Sequence, residues 1–253
     1  MIKRKSMQGR CGTMSQDYKT IGVYVPSYKR SDRILTWHVL NDCTYVVRES
    51  EEEAYRAAGI TKILTAPDEE INSLAKVRQW IIDNTPEDIV IQCDDDISKM
   101  IYKGKNNKVE IEDKDIIDME FERVAQILSD LRLGFASCTM TGDVRKFNAE
   151  FLFKGITGGI CWFNKECLKS RFDNMTYIKE DTDFVLQELL SNRIIIIPDY
   201  FGMQNQYDKN AGGNNVGKTS RALNQTVAYM KQKWGKYYDH NFKTNQSRIN
   251  VKR

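Results

Sequence analysis

The chain has 253 residues, 41% of them hydrophobic and 29% charged, with a net charge of +3, which is the composition of a globular protein able to form one large domain or two small ones. No run approaches the roughly 18 apolar residues of a membrane helix, which predicts a soluble, cytoplasmic protein without membrane contact. The six cysteines form no CxxC pairs and there are only two histidines, which argues against a zinc centre, a disulfide framework and a histidine-based metal site.

The first hundred residues alternate predicted strands with predicted helices. The strands fall at 20–26, 44–49, 60–66 and 88–93, and the helices at 32–40, 51–59 and 70–84, the first of them with Ser31 as its N-cap. This alternation indicates parallel βαβ units, so we predict an α/β fold with a mostly parallel central sheet and helices on both faces. The loop after the first strand contains no glycine, which argues against a dinucleotide site of the Rossmann type.

The pattern changes after Ile97. Residues 103–113 are polar and predict a loop or lid, residues 114–132 an amphipathic helix, and residues 134–140 a strand. Two short strand pieces follow within residues 151–164, hinged at Gly155 and at Gly158 and Gly159, where a missing side chain lets the backbone approach a ligand. Residues 179–192 predict another helix, and residues 193–198 an apolar strand.

An aspartate triplet follows the strand at 88–93 directly. Asp94, Asp95 and Asp96 therefore lie at the carboxyl end of a strand buried on both faces, where open α/β sheets bind ligands. Adjacent carboxylates repel one another unless a cation lies among them, and Mg²⁺ or Mn²⁺ is bound by one or two carboxylates together with substrate phosphates. A solvated acidic turn is the alternative interpretation.

Two further groups of residues bear on function. Asp181 and Asp183 lie at the start of the helix at 179–192, where a carboxylate facing the crevice could accept a proton from a hydroxyl group; helix capping is the alternative. Lys76 and Arg78 lie on the helix at 70–84, either facing the ligand or as ordinary solvent-facing cations.

The segment from 203 to 253 is strongly basic. It carries ten basic side chains and two acidic ones, a net charge of +8 against −5 for the rest of the chain, with aromatic residues among the lysines. This composition suits a nucleic acid, and a solvated helix face with a flexible end is the alternative. Residues 212–219 match the phosphate-loop pattern GxxxxGKT, but no buried strand precedes them directly. We therefore predict a mobile loop whose Lys218 closes over phosphates, with a plain surface loop as the alternative.

Taken together, these motifs resemble the GT-A-type nucleotide-sugar glycosyltransferases over about residues 20–198. The sequence VPSYKR resembles the family's nucleotide-binding loop, SLAKVRQWII its arginine helix, CDDDI its DxD motif, and GGICWFNKECL with KEDTDF its acceptor-side glycine strand and catalytic acidic motif. The resemblance implies a GT-A-like fold with a small antiparallel sheet on the acceptor side. The sequence composition predicts a disordered basic leader at 1–18, and together with the resemblance we predict a catalytic domain at 19–202, with a loop and C-terminal helix or tail of the same domain at 203–253.

The resemblance also implies roles for single residues. Asp181 would be the catalytic base, with Asp183 as its rival, and Asp94 and Asp96 would bind Mn²⁺ or Mg²⁺. The nucleotide-sugar donor, with a UDP-sugar favoured, would be bound by the remaining candidates, which are Pro26, Ser27, Arg30, Lys76, Arg78, Asp94, Asp95, Gly159 and Lys218. One departure from the family pattern is Gln79, which stands where asparagine usually follows the arginine.

A narrower resemblance is to the TET-associated glycosyltransferases, which add sugars to hydroxymethylated pyrimidines in bacteriophage DNA. It implies DNA modification and a DNA acceptor whose base is brought into the crevice, a role that the basic aromatic segment would also fit. Two other functions stay open at this point: a nucleotidyltransferase on a similar fold, and a non-catalytic nucleic-acid-binding module. The sequence does not indicate the oligomeric state.

Overall fold

The computed structural model describes residues 19–140, 145, 147, 149–176, 178–205 and 219–252, and within them the chain forms six α-helices and fourteen strands. The helices are α1 (Leu35–Val39), α2 (Glu52–Ala57), α3 (Leu74–Asn84), α4 (Lys114–Asp130), α5 (Glu180–Ser191) and α6 (Ser220–Trp234). The strands are β1 (Ile21–Pro26), β2 (Thr44–Arg48), β3 (Ile63–Ala66), β4 (Ile89–Cys93), β5 (Ile97–Gly104), β6 (Asn107–Ile111), β7 (Phe135–Ser137), β8 (Thr139–Met140), β9 (Phe151–Leu152), β10 (Ile160–Asn164), β11 (Ile197–Pro198), β12 (Phe201–Asn205), β13 (Tyr238–Asn241) and β14 (Gln246–Ile249).

A six-stranded sheet with the order β3-β2-β1-β4-β10-β7 forms the centre of the molecule. The strands β3, β2, β1 and β4 are parallel, as the βαβ pattern predicts, and β10 pairs antiparallel with both β4 and β7. A second sheet, β6-β5-β12-β8, is mostly antiparallel and continues from the carboxyl end of β4. The predicted α/β fold with a mostly parallel sheet and a smaller antiparallel one is confirmed.

Two hydrophobic clusters cover the two faces of the central sheet. Neighbouring residues of β4 contribute to opposite clusters: Ile91 packs with Trp162 and Phe121 on one side, and Val90 packs with Phe163 and Phe184 on the other. Because β4 is buried on both faces, its five residues include no exposed position, which explains why four of them are apolar, and the fifth, Gln92, donates a hydrogen bond of 2.8 Å to the Arg78 carbonyl.

The segment at 219–252 packs against the same sheet. Val227 and Met230 of α6 are buried in the cluster that also contains Phe184 of α5, and Val251 joins them beyond the β13–β14 hairpin. The hydroxyl group of Thr219, the last residue of the phosphate-loop pattern, caps α6 by accepting a hydrogen bond of 3.1 Å from the Ala222 amide. Residues 206–218, which include the rest of that pattern and Lys218, lie outside the described residues. The predicted leader at 1–18 lies outside them as well.

Three local predictions were wrong. Residues 103–113, predicted as a loop or lid, belong to the β5–β6 hairpin, whose turn places Asn106 at a φ of 65°. The helix predicted at 32–40 begins only at Leu35, and Ile34 rather than Ser31 precedes it without a side-chain cap. The strand predicted at 193–198 is too long: Ile196 forms an isolated parallel bridge with Ala136 of β7, and only Ile197–Pro198 form a strand, β11, which pairs with β9.

No helix in the described part of the chain is long and apolar enough to cross a membrane.

Candidate active site

Three strands of the central sheet meet at the edge where the aspartate triplet lies. The carboxyl ends of β1 and β4 are adjacent because these strands are parallel, and β10 starts there because it is antiparallel, with Ile160 opposite Cys93. The loop before β10 therefore lies against the triplet, and the amide of Asp94 donates a hydrogen bond of 2.7 Å to the carbonyl of Gly159. The sheet order thus brings together two motifs that are sixty-five positions apart.

Asp95 is the most buried member of the triplet, with 6% of its surface exposed. Its carboxylate accepts hydrogen bonds of 2.5 Å from the Ser27 hydroxyl and 2.6 Å from Arg30 Nη1. Ser27 is also within 2.7 Å of the Tyr55 hydroxyl, which in turn accepts a hydrogen bond from the Arg30 amide. Asp95 therefore fixes the loop after β1, and its carboxylate points towards that loop rather than towards the crevice.

Asp94 lies between Arg78 and Gly159. Its Oδ1 accepts a hydrogen bond of 2.7 Å from Arg78 Nη2, and Arg78 has only 7% of its surface exposed. A methyl group added to Gly159 would lie 2.5 Å from Oδ2, so only glycine leaves room for this carboxylate. Surrounding protein raises the pKa of Asp94 by desolvation, and the positive charge of Arg78 opposes that rise only in part.

Asp96 completes the triplet, with 21% of its side chain exposed and its Oδ2 3.6 Å from Arg30 Nη1. Asp94 and Asp96 thus present two partly exposed carboxylates at one edge, and the raised pKa of Asp94 shows that its negative charge lacks full compensation. Among the described residues, no three His, Cys, Asp or Glu side chains come together as a metal-ligand set. Two carboxylates nevertheless fit a magnesium or manganese ion that takes its remaining ligands from phosphates and water.

A recess opens beside the triplet and leads to α5. It is small, with about 20 Å³ open to the centre of a water-sized sphere, and its lining residues are Arg78, Phe135, Thr157, Gly158, Cys161, Phe172, Asp181 and Phe184. Arg78 belongs both to this lining and to the Asp94 ion pair, so it connects the triplet with Asp181. Burial raises the pKa of Cys161 to about 12, so its thiol is protonated and does not act as a nucleophile at neutral pH.

The two acidic candidates of α5 have different surroundings. Asp181 is partly exposed in the recess, and its Oδ1 accepts a hydrogen bond of 2.6 Å from the Thr182 amide. Asp183 is fully buried and faces α6, where Trp234 Nε1 lies 2.7 Å and Lys233 Nζ 3.0 Å from its Oδ1. Only Asp181 therefore has a carboxylate within reach of a molecule in the recess.

The remaining candidates are distributed as follows. Pro26 ends β1 and is buried opposite Val46. Lys76 is half-buried on α3, two positions before Arg78, so its side chain points about 200° away from Arg78 around the helix. The structure thus gathers Ser27, Arg30, Arg78, Gly159 and the triplet, and it directs Lys76 elsewhere.

A second group of polar residues at the same sheet edge was not predicted. The Arg48 guanidinium, at the end of β2, stacks 3.9 Å from the centroid of the half-buried Tyr28 ring. Glu51 Oε1 accepts a hydrogen bond of 3.0 Å from the Lys29 amide, and Lys29 adopts a φ of 55°. Within the described part of the chain, Arg48 Nε and Glu51 Oε2 are buried without a hydrogen-bond partner. Burial raises the pKa of Glu51, as for a carboxylate that lacks compensation.

Thr36 is another residue that the sequence did not reveal. It is fully buried at the start of α1, and its hydroxyl donates a hydrogen bond of 2.6 Å to the Asp94 carbonyl and accepts one of 3.0 Å from the Ile97 amide. It therefore fixes the backbone of the triplet from both sides. The sequence shows only a threonine in a short, mostly apolar segment. That pattern does not distinguish Thr36 from an ordinary threonine packed in the core.

A sequence model of the family described as TET-Associated Glycosyltransferase matches residues 21–213, which is well over half of the chain. No curated protein matches the chain in sequence.

Solved structures with a similar fold include two nucleotide-sugar enzymes. Mannosyltransferase PcManGT from Pyrobaculum calidifontis, in complex with GDP-Man and Mn²⁺, matches with a TM-score of 0.56 and 15% identity over 86% of this chain and 65% of that one. Glucosyl-3-phosphoglycerate synthase from Mycobacterium tuberculosis, in complex with Mg²⁺ and uridine-diphosphate, matches with a TM-score of 0.51 and 11% identity over 91% of this chain and 87% of that one. The chain thus spans slightly less than two thirds of the mannosyltransferase. These similarities confirm the predicted GT-A fold.

Proposed function

Since the chain belongs to the TET-associated glycosyltransferase family, we propose that it is a glycosyltransferase that transfers a sugar from a UDP-sugar to a hydroxymethylated pyrimidine in DNA. The proposal includes Mn²⁺ or Mg²⁺ as the cofactor. The observation that carries it is the position of Arg78, which contacts Asp94 on one side and lines the recess with Asp181 on the other. A donor bound at the triplet would therefore present its sugar to a base in the recess.

Asp94 and Asp96 are the residues that would hold the metal ion. When bound, the ion would supply positive charge that stabilises the departing diphosphate. Arg78 is a fixed cation at the same position, and its burial means that it needs no reorganisation when negative charge develops on the phosphates. Ser27 and Arg30, fixed by Asp95, would orient the donor from the loop after β1.

Tyr28, Arg48 and Glu51 would bind the nucleobase. Their buried atoms without partners are one donor, Arg48 Nε, and one acceptor, Glu51 Oε2. Uracil offers the complementary pair, since its N3–H group lies between two carbonyl oxygens.

Asp181 would act as the general base. The acceptor hydroxyl oxygen forms a bond to C1 of the sugar while the bond from C1 to the diphosphate oxygen breaks, and its electron pair leaves with the diphosphate. The hydroxyl proton passes to the Asp181 carboxylate. Because the base and the triplet lie on different sides of Arg78, we propose in-line displacement with inversion at C1, which proton NMR of the product would report.

Exposed cations of the segment at 219–252 would contact the DNA backbone. The residues proposed for this contact are five of the exposed cations: Arg221, Lys236, Lys243, Arg248 and Lys252. Ammonium and guanidinium groups bind phosphates with a strong dependence on salt, so transfer to DNA would weaken with rising salt more than transfer to a free nucleoside.

The test is a transfer assay on oligonucleotides that contain a hydroxymethylated pyrimidine, with UDP-sugars and GDP-sugars and with Mn²⁺, Mg²⁺ or chelator. We expect a mass increase of one sugar, release of UDP, and dependence on metal. Asp181→Asn should lower kcat by about 100- to 10,000-fold and leave UDP binding intact. No binding of any nucleoside diphosphate, or no transfer to modified DNA with any donor, would overturn the proposal.

A further inference from the structure

The last turn of α6 contacts the first turn of α5 through a fully buried carboxylate. Asp183 accepts hydrogen bonds from Trp234 Nε1 at 2.7 Å on Oδ1 and from Lys233 Nζ at 3.1 Å on Oδ2. Gln187, one turn further along α5, donates to Oδ2 at 2.8 Å. Both oxygens of Asp183 are thus bonded by side chains of α5 and α6, which anchors the first turn of α5 to α6.

Lys233 also binds a second segment that lines the recess, the one that follows Phe172. Its ammonium group lies 2.9 Å from Asp173 Oδ2, and the Tyr229 hydroxyl donates to the same oxygen at 2.8 Å. Asp173 directly follows Phe172, which lines the recess. One lysine therefore connects two separate parts of the recess wall, the part that carries Asp181 and the part that carries Phe172.

Helix geometry determines what this anchor does to Asp181. Residues two positions apart on an α-helix point about 200° apart around its axis, so Asp181 and Asp183 lie on nearly opposite sides. With Asp183 fixed to α6, the first turn can only present Asp181 to the recess. Without the anchor, the first turn of α5 would be free to rotate or fray, since helix ends are held by few backbone hydrogen bonds.

We propose that Lys233 and Trp234 are positioning residues, which hold Asp181 and Phe172 in the arrangement that the acceptor needs. The inference rests on the proposed role of Asp181 as the base. Neither residue is among those that line the recess; both act through Asp183 and Asp173. The basic C-terminal segment then has a role in the reaction itself, in addition to any contact with nucleic acid.

The test compares Lys233→Met and Trp234→Phe with Lys231→Met, a matched control on the same helix. Lys231 pairs at 3.2 Å with Asp239, both of them exposed, so its loss should change little. The assay uses a free hydroxymethylated nucleoside, which separates positioning from contacts with the DNA backbone. We expect kcat to fall about 10- to 100-fold in both test variants, because a displacement of the base by about 1 Å has effects of this size.

Three further readouts separate positioning from a merely structural role. The Kd for UDP with Mn²⁺ should change less than twofold, and Lys233→Arg should recover part of kcat. Amide hydrogen exchange should accelerate in the first turn of α5 and at 172–176, and stay unchanged in β4.

Each outcome bears on one of the two proposals. A wild-type protein that turns over no donor would contradict the proposed function, and the exchange experiment would still decide the positioning. If Lys233→Met and Trp234→Phe keep wild-type kcat, or if exchange in α5 is unchanged, the positioning inference is wrong. A variant whose kcat falls only in proportion to its folded fraction, measured by circular dichroism, would also overturn it.

Discussion

The two sides of the site are built differently. The side proposed to bind the donor, here the donor edge, consists of Ser27, Arg30, Arg78, Gly159 and Asp94 to Asp96. The side proposed to bind the acceptor, here the acceptor wall, consists of Phe172, Asp173, Asp181, Asp183, Lys233 and Trp234. At the donor edge, desolvation raises the pKa of Asp94. At the acceptor wall, burial would raise the pKa of Asp173, but hydrogen bonds from Lys233, the Met175 amide and Tyr229 lower it.

This difference indicates different tasks. The donor edge keeps negative charge incompletely compensated, which is favourable only when a cation and a nucleotide arrive. The acceptor wall compensates its buried charges within the protein and so keeps one shape whether or not substrate is present. Variants of Asp94 and Asp96 should therefore affect binding, whereas variants of the paired, buried carboxylates Asp95 and Asp183 should affect stability.

The largest effect is expected within the triplet itself. Asp96→Asn should reduce transfer by about 100- to 1,000-fold and abolish the stabilisation by UDP with Mn²⁺, because the charge facing the phosphates is lost. Asp95→Asn should instead lower the free energy of unfolding by about 3 to 5 kcal/mol, because the Arg30 guanidinium then loses the buried negative charge that it is paired with. Thermal unfolding with and without UDP and Mn²⁺ separates the two. Equal loss of stability in both variants would contradict the assignment of Asp95 as the structural member.

A comparable effect is expected at the acceptor wall. Asp183→Asn should lower the free energy of unfolding by about 3 to 5 kcal/mol, because Lys233 and Trp234 lose a buried carboxylate. Asp181→Asn makes the same chemical change two positions earlier and should stay within about 0.5 kcal/mol of wild type. Urea unfolding measures both. A destabilised Asp181→Asn beside an unchanged Asp183→Asn would reverse the roles given to these two residues.

A smaller effect is expected at the glycine beside Asp94. Gly159→Ala places a methyl group 2.5 Å from both Asp94 Oδ2 and Met203 Cε, so the carboxylate must move. Such overpacking costs about 1 to 3 kcal/mol, which should weaken UDP binding with Mn²⁺ about tenfold in calorimetric titration. Gly155→Ala is the matched control, because its methyl group would meet only the end of the flexible Ile197 side chain, at 2.7 Å. Equal affinities in the two variants would show that Asp94 has room to move.

The smallest effect concerns pH. The pKa of Asp173 lies below its usual value of 3.8 in the folded protein, so its contribution to stability is present above pH 3.8 and lost as the pH falls through the lower folded value. Asp173→Asn should therefore be less stable than wild type at pH 6, and the difference should shrink towards pH 3. Parallel unfolding curves at the two pH values check this. A constant difference would mean that packing, and not charge, is lost.

The donor edge could be predicted from the sequence because its residues form short motifs. A strand buried on both faces, followed at once by three aspartates, determines where the triplet lies, and the antiparallel strand after Gly159 resembles a known pattern. Thr36 and Glu51 were missed because a single threonine or glutamate carries no signal until the fold shows what it contacts.

The acceptor wall could be predicted only in part. Asp181 and Asp183 were both candidates, and the sequence offered no way to separate them, since the separating contacts come from residues 50 and 51 positions away. Lys233 and Trp234 were included only in a count of basic and aromatic residues. The pairing of the buried Asp183 with the end of α6 leaves no pattern among neighbouring residues in the sequence. The basic segment was therefore interpreted from its charge alone.

The anchor between α5 and α6 also affects the order in which parts of the protein can fold during synthesis. Chains are synthesised from the N-terminus at about 5 to 20 residues per second, and parts that are complete can fold before later parts exist. The strands β1 to β4 and the triplet are made well before Lys233 and Trp234. We therefore expect a nascent chain to acquire its nucleotide site first and its fixed catalytic base last, so that a partly synthesised enzyme can bind donor without using it.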